Sequence, residues 1–85
     1  MMEPGVYIVD LEMKAVPAAK NSRLHPINVK AEKYPVLLDE QGRIPYECKK
    51  RVCKTLMKDK STNYDRYIVN LNYKNPKFST KAYGN

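Results

Sequence analysis

Eighty-five residues leave room for one domain and no second core, and a chain this short buries only about 60–65% of its unfolded surface, which makes a second copy a candidate partner for completing the core (a homodimer). A hydrophobic content of 42% excludes a wholly disordered chain, and a net charge of +7 marks a basic protein with an anionic partner. No apolar run approaches the roughly 20 residues of a membrane span, and the N-terminus has neither the basic region nor the long apolar core of a secretory signal, so no membrane association and a cytoplasmic location are expected.

The first predicted element is a strand over Gly5 to Lys14. Tyr7, Val9, Leu11 and Met13 alternate with Val6, Ile8, Asp10, Glu12 and Lys14, so one face is apolar throughout while the other begins apolar and turns charged. Asp10 and Glu12 share the second face; with a third acid they would suit a divalent metal, but two carboxylates at this spacing are ordinarily just solvated. Val16 to Pro26 follows, with two prolines and the polar run Lys20-Asn21-Ser22-Arg23, and reads as an exposed connection. The lone histidine, His25, falls there without a partner that would make it a general base. Ile27 to Lys33 and Pro35 to Leu38 are shorter strand candidates. Between Leu38 and Ile44, Asp39 and Gly42 predict a tight turn, read here as a hairpin whose second strand is cut short by Pro45.

From Tyr46 or Glu47 to about Lys58, the residues Cys48, Val52, Cys53, Leu56 and Met57 recur on one helical face, and Lys49, Lys50, Arg51, Lys54 and Lys58 fall around the rest. No Ser, Thr, Asp or Asn stands at the expected N-cap. The two cysteines lie five positions apart, about 140° around such a helix, which is poor geometry for a disulfide. Reduced thiols on the apolar face are the better reading, and the spacing matches no common zinc pattern. Ser61-Thr62-Asn63 ends the helix. Tyr64 to Lys74 is again a strand, with Tyr67, Val69, Leu71 and Tyr73 opposite Arg66, Ile68, Asn70, Asn72 and Lys74. Residues 76–85 show no periodicity and read as a fraying C-terminal arm within the single domain 1–85. The elements predict an α+β fold: a small antiparallel sheet of three to five strands with one amphipathic basic helix packed on one face.

Charge is unevenly distributed along these elements. Residues 1–48 carry six bases against seven acids, and residues 49–85 carry ten bases against two acids. Five bases between Lys49 and Lys58 have no acid among them to form i,i+4 pairs. Solvated lysines on an exposed helix face are the plain reading; phosphate contact is the sharper one. It assigns a non-enzymatic nucleic-acid-binding role to Lys49, Lys50, Arg51, Lys54, Lys58 and Lys60, extended by Arg66, Lys74 and Lys77 on the strand face and arm. The partner would be DNA or RNA, with the helix along the backbone or in the major groove and Arg51 and Arg66 suited to bidentate contacts. Seven of the eight aromatics are tyrosines. Tyr7, Tyr67 and Tyr73 share faces with Val and Leu and should fill the core edge, whereas Tyr64 and Tyr83 are freer to stack on bases. Ribonucleoprotein aromatic motifs, GXXG loops and P-loops are absent, and no cofactor is implied. The alternative is a protein-interaction module, a regulator or inhibitor docking its basic surface on an acidic protein; its size and lack of catalytic motifs suit a phage or mobile-element (viral) origin.

Overall fold

A computed structural model describes residues 1–20, 22–57 and 64–81. It contains strand β1 (Gly5–Pro17), strand β2 (Ile27–Leu38), helix α1 (Tyr46–Met57), a 3-10 turn (Tyr64–Arg66) and strand β3 (Tyr67–Lys81). The strands form one antiparallel sheet in the order β2-β1-β3, with α1 packed on one face, so the chain is a small α+β fold. No described helix is long and apolar enough to cross a membrane.

The alternation in β1 explains its central place. Tyr7, Val9, Leu11, Met13 and Ala15 are all buried, while Val6, Ile8, Asp10 and Glu12 on the other face are half-buried and Lys14 and Val16 exposed. The buried alternates meet the helical stripe Cys48, Val52, Cys53, Leu56 and Met57, and Val36 and Leu38 of β2 close the same core. At about 3.3 Å per residue, 13 residues of strand span roughly 43 Å. The sheet therefore sets the long axis of a molecule measuring 43 × 23 × 22 Å. The 12-residue helix, about 18 Å long at 1.5 Å per residue, covers less than half of that length.

Residues 27–38 form one strand where two were expected. Val9 faces Tyr34 but Leu11 faces Ala31, so Glu32 and Lys33 together oppose Asp10, and Lys33 takes a positive φ of 53°. This bulge adds a residue and shifts the phase of the alternation, which splits the pattern in sequence although the strand is continuous. A second bulge lies on the other flank: Asp10 faces Lys74 but Ile8 faces Lys77, and Asn75 has a φ of 57°. The Asp10 carboxylate joins the two. Its Oδ1 accepts the Lys33 backbone N–H at 3.4 Å and its Oδ2 accepts from Asn75 Nδ2 at 2.9 Å.

The Asp39 turn has the anticipated chemistry without the hairpin. Asp39 Oδ1 accepts the backbone N–H of Gln41 (2.9 Å) and Arg43 (2.8 Å), and Gly42 adopts a φ of 75°. The turn leads directly into α1, because Pro45 acts as N-cap with its carbonyl accepting the Lys49 N–H at 2.9 Å. Backbone geometry thus starts the helix without a capping side chain. The Tyr73 hydroxyl donates to the Gly42 carbonyl at 2.6 Å and ties this turn to β3.

The last strand also departs from expectation. Residues 64–66 form the 3-10 turn, and β3 runs on through Pro76 to Lys81 opposite Gly5, where an unpatterned arm from residue 76 was expected. Beyond Tyr73 every described residue of β3 is exposed, so neither face selects apolar side chains and no period is written in the sequence. Backbone pairing to β1 holds the segment, with Phe78 set edge-on to Tyr7 at 5.1 Å between ring centroids. Gly5 permits this approach, since a Cβ there would run into the Thr80 carbonyl oxygen.

Candidate nucleic-acid interface

The outer side of α1 is one continuous surface formed by Tyr46, Glu47, Lys50, Arg51, Lys54 and Thr55. At about 100° per residue, Glu47, Lys50, Arg51, Lys54 and Thr55 lie outside the arc of the buried stripe, so the packing that hides Cys48, Val52 and Leu56 also sets the charge outward, and Tyr46 joins them as an exposed residue at the helix start. Arg51 and Lys54 are exposed and Lys50 is half-buried. Among the described residues, none of the three has a carboxylate within ion-pair distance; the ion pairs there are Lys30 with Glu12 (3.8 Å) and Lys81 with Glu3 (3.4 Å). Tyr46, 66% exposed, stands one turn before Lys50 and two before Lys54.

The other candidate residues do not join this ridge. Lys49 lies on the flank toward β3, lining a groove of about 350 Å³ with Gly42, Arg43, Ile44, Leu71, Asn72 and Tyr73. Its angular position falls within the buried arc of the helix, where a long stem can cover apolar surface while the ammonium stays wet. Lys74 and Lys77 face Asp10 and Ile8 across the ladder, on the side of the sheet turned away from α1. Since α1 covers the apolar alternates of β1 and β3, the polar alternates must point the opposite way, and among the described residues no patch runs continuously from helix to strand. Arg66 is exposed in the 3-10 turn just before β3, and its carbonyl accepts the Ala18 N–H at 2.9 Å. Lys58, Lys60 and Tyr83 lie outside the described residues.

Tyr64, expected to be free for stacking, is half-buried and packed against the core. Burial pushes its phenol above the usual range, with the neighbouring Cys53 acting in the same direction. Tyr7 is buried and Tyr67 and Tyr73 half-buried along the core edge, in line with their alternation with Val and Leu. Tyr46 is the aromatic residue that sequence reasoning passed over. The available signal was its i−4 spacing from Lys50 at the first position of the helix.

The uncovered sheet face is electrostatically mixed. A hollow of about 370 Å³ is lined there by Asp10, Glu12 and Glu32 together with Lys30, Asn72 and Lys74. The Asn75 hydrogen bond, then the Lys33 backbone N–H, and more weakly the Lys74 and Lys33 charges hold the Asp10 carboxyl below its usual range. Among the described residues no three His, Cys, Asp or Glu side chains converge into a metal site. Cys48 and Cys53 are free and buried. Burial raises the Cys53 thiol and outweighs the opposing charge of Lys49, so nothing here activates it as a nucleophile.

Fold and surface together define a two-layer basic domain with a cationic helix ridge. In comparisons with known proteins the chain matches no family model, no curated protein and no solved structure.

Proposed function

We propose that this protein binds nucleic acid without catalysing a reaction on it, setting the outer face of α1 against the phosphate backbone. The observation that carries this reading is the ridge of Lys50, Arg51 and Lys54, three neighbouring cations without an ion-pair partner among the described residues. Their mutual repulsion is tolerated in the free protein and relieved by a polyanion, whose condensed counterions are released on binding. Two reduced, buried thiols suit a cytoplasmic setting for this activity.

The test is the triple change Lys50→Glu, Arg51→Glu and Lys54→Glu. Retention on immobilised DNA or RNA should be lost at about 0.15 M salt, with the far-ultraviolet circular dichroism unchanged because all three side chains lie outside the core. Undiminished retention by the folded variant would sink the proposal.

One observation favours a second reading. Beside Arg51, between α1 and β2, a groove of about 330 Å³ is lined by Val6, Tyr34, Pro35, Leu37, Val52 and neighbouring residues. An apolar floor under a guanidinium suits an acidic protein segment with a hydrophobic side chain better than a phosphate chain. Capture of one stoichiometric acidic protein, with no retention on nucleic acid, would favour this alternative.

A further inference from the structure

The shape and surroundings of the helix ridge narrow the class of nucleic acid, on the reading that nucleic acid is the ligand. We infer that the ridge is built for a B-form duplex, with α1 in the major groove, and not for a single strand or an A-form duplex. Two independent observations point there.

The first is where the aromatic rings are. Unpaired bases are held by stacking on exposed rings, usually several along a cationic groove. Here Tyr7 is buried, and Tyr34, Tyr64, Tyr67 and Tyr73 are half-buried against the core. Phe78, 42% exposed, is engaged edge-on with Tyr7, and Tyr46, 66% exposed, is a single ring at the start of the ridge and not a row of them. The four strand tyrosines face Phe78, Val9, Pro17 and Leu11 on the covered side of the sheet, and of the four only Tyr73 borders the hollow on the open side. That side instead presents Asp10, Glu12 and Glu32, which repel phosphate. The flat surface that would suit splayed bases is therefore the surface least able to hold them.

The second observation is the form of the cationic surface. Lys50, Arg51 and Lys54 stand on the outer side of the helical cylinder together with Tyr46, Glu47 and Thr55, three cations against one carboxylate. A helix with its side chains is about 10–12 Å across. The B-DNA major groove, about 12 Å wide, admits it, whereas the A-form major groove is too deep and narrow. With the helix axis along the groove, Lys50 and Arg51 diverge by about 100° and can reach opposite phosphate walls. Tyr46 then enters at the N-terminal end, the end that commonly meets base edges.

The experiment compares the full chain with three ligands of matched sequence and length, namely duplex DNA, single-stranded DNA and duplex RNA, by fluorescence anisotropy at one salt concentration. Duplex DNA should bind at least about tenfold more tightly than either of the others. A duplex whose major groove is filled by glucosylated hydroxymethylcytosine should lose that advantage. Occupying the minor groove with netropsin should leave binding intact. The exposed pair Arg51→Gln and Lys54→Gln, which leaves the core untouched, should weaken duplex binding. If single-stranded DNA or duplex RNA binds as tightly as duplex DNA and still depends on Arg51 and Lys54, the duplex inference falls while nucleic-acid binding stands. Equal binding to the glucosylated duplex overturns the groove assignment. Failure of all three ligands to bind overturns both.

Discussion

Asp10 shows how one side chain can shape a sheet. It sits on the central strand between two bulges, and its carboxylate accepts from Lys33 on one flank and Asn75 on the other. Lys33 and Asn75 both hold a positive φ that a non-glycine residue adopts reluctantly, so the interactions fixing them matter more than their exposure suggests. The carboxyl is held below the usual carboxylate range, and the sign follows. A group whose folded pKa is depressed stabilises the protein above its unfolded pKa and loses that contribution as pH falls through the folded value. Asp10→Asn should therefore lower Tm at pH 7, and the gap from the wild type should narrow as the pH is taken down through and below the usual carboxylate range. Thermal melts of both proteins at pH 7 and at successively lower pH check this; a gap independent of pH would refute a role for the charge.

At the scale of elements, the exposed edges of β2 and β3 are protected in the same way. Each edge strand carries a bulge, a proline and lysines: Lys33 and Pro35 on β2, and Lys74, Pro76 and Lys77 on β3. A long unpaired strand is a template for another strand, and these three devices are known means of blunting it. The double change Pro35→Val and Pro76→Val restores two backbone N–H donors and enlarges the usable edge. It should raise concentration-dependent association, measured by light scattering across a dilution series. A variant that stays as monodisperse as the parent would show that bulge and charge suffice. The same reasoning makes strand-to-strand pairing a poor route to a homodimer.

For the whole molecule, the decisive fact is that the helix cations and the strand cations lie on opposite sides of the sheet. A ligand on α1 meets Lys50, Arg51 and Lys54, while behind the sheet Lys74 stands among Asp10, Glu12 and Glu32 and Lys77 opposite Ile8. Each phosphate neutralised contributes about 0.9 to the slope of log K against log salt on duplex DNA, so the ridge alone predicts a slope near −3. Cations outside the described residues would steepen it. Lys74→Ala with Lys77→Ala should leave that slope unchanged, whereas Arg51→Gln with Lys54→Gln should reduce its magnitude by about 2. A slope that falls equally in both variants would mean that the ligand wraps both faces.

The local elements were legible wherever one side is buried and the other wet. The period of β1, the stripe of α1, the alternation of Tyr67 to Tyr73 and the Asp39–Gly42 turn can all be read from residue order, because burial imprints periodicity on the chain. Where nothing covers the strand, as from Lys74 to Lys81, no imprint exists and pairing with β1 alone decides the structure. The bulges at Lys33 and Asn75 were hidden for a related reason: each depends on Asp10, 23 and 65 residues away in sequence. Residue order alone sets the sign of the charge and its concentration after position 48. Which cations can act together depends on the fold, because packing α1 over the apolar side of the sheet sends the polar alternates of β3 to the far side.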